Sequence, residues 1–280
     1  MAASAVQFGR VVQVVIGPAA MLGVAITDLH VQFSVKRSLK KSANTATISL
    51  WNVGQAVAAL LEQTGCVVTL SAGYGFIPPP LLFRGDIVKS GLKVERRGPD
   101  VVTTIEAGDA ENALTEARFD QSFAAGTPNS VILSAILATM GCGLAPGDPL
   151  PPFVYPDPQP FSGLASRALA SLCQDVGCEY SIQDGNVQIL AWFSTRKDEA
   201  VLVSSLTGMI GSPSKTKGKG KSGASLSMLL NPSVKPGSVL SLAALDLQGF
   251  FRADSVEHRG DNRSGEWVTK VEASALGAER

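Results

Sequence analysis

The sequence predicts an α+β, mainly β chain: two homologous β-barrel domains, residues 1–114 and 196–280, with a small α/β domain, residues 115–195, inserted between them. Three observations carry this reading. Strand-like runs on both sides of the middle spell the same ordered set of motifs twice. Apolar residues in those runs alternate with polar ones, the period of a half-buried strand, and the intervening segment switches to helical spacing.

In the first barrel Val31, Phe33 and Val35 alternate, as do Ala46, Ile48 and Leu50, so each run turns one apolar face inward. ISLWN ends at Asn52, VGQAVAALLEQT reads as a helix, and GCVVTL from Gly65 as a further strand. FRGDIVKSG from Phe83 and PDVVTTIEA to Ala107 complete the set. Short strands separated by Gly, Asn and Asp turns favour a sandwich or barrel.

In the middle, Thr127-Pro128 predicts a helix start with Thr127 as N-cap and Pro128 at the first helical position. Val131, Ile132, Ala135, Ile136 and Met140 share one face before Gly141 and Gly143 stop the helix. A proline-rich connection over 147–160 leads to a second helix from about Gly163 to Val176, striped by Leu164, Ala168, Leu172 and Val176. Asp184-Gly185 between two strand-like runs marks a hairpin with a primed turn. The two apolar helix faces are expected to share a core.

The second barrel repeats the first. Phe83, Arg84, Asp86 and Val88 match Phe251, Arg252, Asp254 and Val256; Thr103, Ile105, Glu106 and Ala107 match Thr269, Val271, Glu272 and Ala273. Upstream, GCVVTL pairs with GSVLSL from Gly237, and ISLWN with SMLLN ending at Asn231, while PSVKP replaces the first copy's helix. Phe83, Arg84, Asp86, Thr103, Glu106, Phe251, Arg252, Asp254, Thr269 and Glu272 are therefore the expected framework of the two barrels. The shared Arg and Asp are expected to pair.

Lys plus Arg and Asp plus Glu both number 24, so net charge selects neither nucleic acid nor an anionic membrane as partner. The apolar stretch from Val11 to Ile26 is interrupted by Gln13, Gly17, Pro18 and Gly23, too broken for a membrane span. The N-terminus lacks a charged region followed by an apolar core, and the chain reads as cytosolic when made. Cysteines at 66, 142, 173 and 178 form no C-x-x-C pair, and only His30 and His258 could join them. No metal site is expected, and the thiols read as small buried apolar groups.

TKGKGKSGAS, from Thr216, satisfies G-x-G-x-x-G through Gly218, Gly220 and Gly223 and contains the G-K-S that ends a Walker A loop. The alternating strand SLSMLLN follows it, whereas a phosphate loop opens a helix, and Lys215 stands where a strict Walker A has Gly. The segment reads as a basic hairpin loop. Arg84-Gly85-Asp86 and Arg259-Gly260-Asp261 both spell RGD, but the first belongs to a repeated strand. His258 near Asp261 reads as a solvated hairpin histidine. Asn262-Arg263-Ser264 fits a glycosylation sequon that has no meaning without export.

The FRGDIV and GPDVVTTIEAGDA segments, SGLASRALASLCQDVGCEYSIQDGNVQIL, VSSLTGMIGSP and FRADSVEHRGDNRSGEWVTKVEA together resemble the baseplate hub proteins of contractile-tailed bacteriophages. The resemblance spans nearly the whole chain. It implies a structural hub with two tube-type β-barrel domains, assembled as a homotrimer whose pseudo-six-fold ring joins a six-fold tail tube to a three-fold central spike. It further implies a channel for the tape measure and for DNA that is not read by sequence, and contacts to a tube or tube-initiator protein, a spike and possible wedge proteins. By the same resemblance the protein belongs to the virion baseplate and is assembled in the bacterial cytoplasm, with no catalytic residue, metal, cofactor or membrane binding. The equivalent hub of a phage-derived contractile injection system is the alternative; an enzyme using the Gly218 to Gly223 loop for nucleotide is a remote one.

Overall fold

The computed structural model describes residues 8–18, 23–63, 65–75, 78–145, 150–218 and 221–276. In chain order come β1 (Arg10–Pro18), β2 (Val24–Ile26), β3 (Val31–Ser38), β4 (Thr45–Trp51), α1 (Gln55–Leu61), β5 (Cys66–Tyr74), β6 (Leu81–Arg97) and β7 (Asp100–Gly108). Then follow α2 (Glu111–Thr115), β8 (Gln121–Phe123), α3 (Asn129–Met140), β9 (Gly143–Leu144), β10 (Gln159–Phe161), α4 (Ala165–Asp175), β11 (Cys178–Gln183) and β12 (Asn186–Ala191). The last set is β13 (Val201–Ser204), a 3-10 turn at Ser205–Thr207, β14 (Met209–Gly218), β15 (Lys221–Leu229), β16 (Val239–Ala243), β17 (Gln248–Asp261) and β18 (Trp267–Ala275).

The chain divides into two compact units. One comprises Met1–Ser38, Thr45–Gly108 and Lys197–Arg280, the other Leu39–Asn44 and Asp109–Arg196.

The first unit holds both copies of the repeat in one 13-stranded sheet. The neighbours run β3-β4-β7-β6-β5 in the first copy, and β14-β15-β18-β17-β16 in the second. The copies depart from one another at the next strand, since β1 is antiparallel to β5 whereas β13 is parallel to β16. Each copy has its own core: Ile48, Leu50, Val68, Leu70, Phe83 and Ile105 lie in the first, and Leu226, Met228, Leu240, Phe251, Val256 and Val271 in the second.

The ladders correct two of the matches read from sequence. Ile48 lies opposite Ile105 and Leu226 opposite Val271, so the partner of Ile48 is Leu226 and that of Asn52 is Leu230 rather than Asn231. The motif match ISLWN to SMLLN is one residue out, which would have turned Ser227 inward. Phe83 faces Leu70 while Phe251 faces Leu240, two residues from the position the motif implies. A shift of two keeps the face, and both phenylalanines are buried. Bulges of unequal size cause the drift: β6 shifts register between Ile87 and Leu92, β17 between Ala253 and Ser255.

In the second unit α3 and α4 pack against each other and α4 against β11. Their shared core contains Ile132, Ile136, Met140, Leu169, Leu172, Tyr180 and Val187. The first helix begins at Asn129, with Pro128 rather than Thr127 at the N-cap, and the Thr127 hydroxyl instead donates to the Ala124 carbonyl at 2.7 Å. Its inner face carries Leu133, not Val131, which is 51% exposed. In the second helix Leu164 is the N-cap residue, and Ala165, Leu169 and Cys173 join Ala168 and Leu172 inside. Burial pushes the Cys173 thiol up to about 12, as fits a structural thiol.

Asp184 and Gly185 have φ of 56° and 81°, the two positive values that a type I′ turn demands, and β11 pairs with β12 through Gln183 and Asn186. Asp109 holds this turn. Its carboxylate, 1% exposed, accepts the Asp184 and Gly185 amides at 2.6 and 2.8 Å and the Asn44 amide at 3.3 Å. Asn44 also donates to the Ile182 carbonyl at 2.6 Å, which ties residues 39–44 to the second unit. Asp109→Ala leaves buried amides without acceptors, so a loss of about 2–3 kcal/mol is expected. Chemical denaturation checks the loss, and amide exchange at Gly185 should accelerate with it.

Candidate functional site

The alternation that builds each core leaves a second sheet face made of the outward residues of β6, β7, β4, β3, β17, β18 and β15. Across it, one cross-strand row runs from a hydroxyl through three charges of alternating sign to a second hydroxyl. Ser227 lies opposite Lys270, Lys270 opposite Glu257, Glu257 opposite Lys36, and Lys36 opposite Thr45. The charges pair locally: Lys93 with Glu106 at 2.7 Å, Arg259 with Glu257 at 2.9 Å, and Lys36 with Glu257 at 3.9 Å. Ser49 and Thr104 join their hydroxyls at 3.1 Å, and Ser34 donates to Glu257 at 3.3 Å. A shallow depression on this face is lined by Gln32, Ser34, Thr47, Ser49, Arg259 and Asp261. These are surface pairs in high dielectric, where solvent screening leaves each little net stabilisation. Their consequence is a face with no block of one sign.

The two copies meet where β17 crosses from one to the other. Its first part, Gln248–Arg252, pairs with β16; its second part, from Ser255 to Asp261, pairs antiparallel with β3. Gly260 lies opposite Phe33, and a Cβ there would collide with the rings of Phe33 and Trp267. Those rings pack edge to face at 5.6 Å. Buried at the same seam are Arg37, which is 2% exposed and donates to the Leu82 carbonyl at 2.9 Å, and His258, which is 1% exposed. The expectation of a solvated His258 is overturned: it occupies an inward position of β17 between Val256 and Gly260. Sequence contained the signal, because Val256-x-His258-x-Gly260 and Val35-x-Arg37 both follow the inward period.

Thr269 Oγ1 accepts the Asn231 amide at 2.9 Å and lies 2.9 Å from His258 Nδ1. The ring also bonds the Val234 backbone, so a neutral imidazole that donates its one N–H to that carbonyl and accepts the Thr269 proton at Nδ1 satisfies both contacts. Burial, then the Arg37 charge, lowers the His258 pKa to about 3.

The framework residues fall in different places. Phe83, Thr103, Phe251 and Thr269 are buried, and Arg84 is exposed. Glu106 and Glu272 both lie on the polar face, Glu106 bonded to Lys93 and Glu272 opposite Ser225 and Ser255. Arg252 and Asp254 form an ion pair at 2.9 Å, and Ser274 donates to the same carboxylate. At Asp86 burial raises the carboxyl pKa and the neighbouring Arg84 charge counters it. In the basic loop Gly218 pairs with Lys221 across a strand hairpin, whereas a phosphate loop would run into a helix; Lys219 and Gly220 lie outside the described residues. No cluster of metal-ligating side chains occurs among the described residues. No helix is long and apolar enough to cross a membrane among them.

No family model matches the sequence, and no curated protein matches it. Solved structures do. A 43 kDa tail protein of prophage MuSo2 from Shewanella oneidensis superposes with a TM-score of 0.67 at 10% identity, over 95% of this chain and 98% of that one. The chain shares the tail-protein fold. A tail protein from Neisseria meningitidis MC58 gives 0.66 at 10% identity over 96% and 98% of the two chains. An Escherichia coli component of the type VI secretion system, itself described as similar to bacteriophage T4 tail proteins gp27 and gp5, gives 0.62 at 8% identity over 94% and 77%. The tail-protein fold is mainly β here, as the repeat predicts.

His258 makes the seam sensitive to acid. Its folded pKa of about 3 lies below the ordinary 6.5, so the unfolded chain binds the extra proton in that window. Stability is full above about pH 6.5 and falls with pH by up to about 1.4 kcal/mol per unit. Denaturation midpoints between about pH 6.5 and 4.5 should show this slope, and His258→Gln should flatten it.

Proposed function

We propose that the chain is a structural hub of a phage-type tail baseplate, a homotrimer whose six barrel copies form a ring between a six-fold tail tube and a three-fold spike. The observation that carries this reading is the repeat joined into one sheet. Two copies with one strand order present nearly equivalent units to a six-fold partner, while their differences, such as β1 against β13, recur three times for a three-fold one. The likeness to tail proteins over nearly the full chain supports it.

In this reading the polar face lines the channel. Interleaved Lys, Glu, Ser and Thr give passing DNA few uncompensated cations to hold, and phosphate affinity depends on such cations. The chain works by assembly and performs no catalysis. The hub of a contractile injection system is the same physical object with another cargo, and the likeness to the type VI component fits it equally.

Light scattering with negative-stain averaging tests the proposal. Trimer mass and three-fold rings with six lobes are expected, with no binding of ATP or GTP. A compact monomer at every protein and salt concentration, or nucleotide binding lost in Lys221→Ala, would overturn it.

A further inference from the structure

The internal join shows how one copy grips the next: the second half of the long strand of the second copy pairs with the first strand of the first copy. The same two edges exist once more in the chain. The counterpart of β17 beyond its bulge is β6 from Leu92 to Arg97, and the counterpart of β3 is β14. Beyond its pairing with β7, this part of β6 meets no other described strand, and β14 ends the sheet order beside β15. We infer that β6 of one protomer pairs antiparallel with β14 of a second copy of this chain, repeating between chains the seam seen within one. This rests on the ring reading above and names its contact.

Equivalence through the ladders sets the register. Leu92 and Val256 lie opposite Ile105 and Val271, so Lys93, Val94 and Glu95 stand for Glu257, His258 and Arg259. Val35 and Lys215 lie opposite Ala46 and Ala224, so Ser214, Lys215 and Thr216 stand for Ser34, Val35 and Lys36. Within the chain, Glu257 faces Lys36, His258 faces Val35 and Arg259 faces Ser34. Between chains the pairs become Lys93 with Thr216, Val94 with Lys215, and Glu95 with Ser214.

This register is chemically consistent. It sets no like charges directly opposite in these pairs, which would be destabilising. Lys93, Glu95, Ser214 and Thr216 carry the charge-and-hydroxyl pattern of the polar face onward without a break. Val94, 63% exposed, gains a neighbouring strand and the stem of Lys215. The edges also resist wrong partners: β14 carries Lys215 and a proline, Pro213, in its bulge, both of which discourage indiscriminate pairing. A contact joining two different edges is heterologous, and it closes when the turn per copy divides the circle.

The test is disulfide trapping in the full chain. Val94→Cys with Lys215→Cys sets two thiols opposite, whereas Val94→Cys with Thr216→Cys sets them on opposite faces. Mild oxidation should convert the first variant to covalent trimers roughly tenfold faster than the second, as disulfide geometry requires. All three sites are exposed, and unchanged circular dichroism of the reduced variants confirms folding. Trimers by light scattering without this cross-link overturn the seam and leave the ring reading standing. An open-ended covalent ladder supports the seam and overturns the ring. Monomers without cross-links overturn both.

Discussion

The first unit depends on the antiparallel pairing of β17 with β3. Without it each copy would be a separate small barrel ending in open edges; with it one sheet runs through both. The pairing is possible because β17 outruns β16, and the bulge between Ala253 and Ser255 lets the strand serve both partners. Gly260 lets Phe33 and Trp267 close over the seam, since any side chain there would meet both rings.

The same seam explains the polar groups inside. Arg37 and His258 are costly to bury, and each has a named partner: the Leu82 carbonyl for Arg37, the Thr269 hydroxyl for His258. A neutral imidazole beside a buried guanidinium avoids two like charges in low dielectric. On the opposite face the charges stay in water, where pairing costs little and alternation prevents a field of one sign.

Legibility followed range. The period-two runs of β3 and β4, the helices, the Asp184-Gly185 turn and the doubled order of motifs were all readable, because each is set by neighbours close in sequence. Register was not. ISLWN and SMLLN look alike as strings, yet the ladder moves the match by one residue and puts Leu226, Met228 and Leu230 inside. The clamp of Asp109 on the Asp184-Gly185 turn was equally invisible, since it joins residues far apart in the chain through one buried carboxylate.

By itself the sequence determined the alternating inward face of runs such as Val31, Phe33 and Val35, the repetition of one strand order and the inserted helices, all consequences of local period and turn chemistry. The tertiary structure alone decided where the copies join, how the bulges absorb unequal lengths, and that His258 is buried and neutral. Alternation repeats every second residue and so cannot say which strand lies beside which, or in what register. Only the hydrogen-bonded ladder and the packing across it distinguish those arrangements.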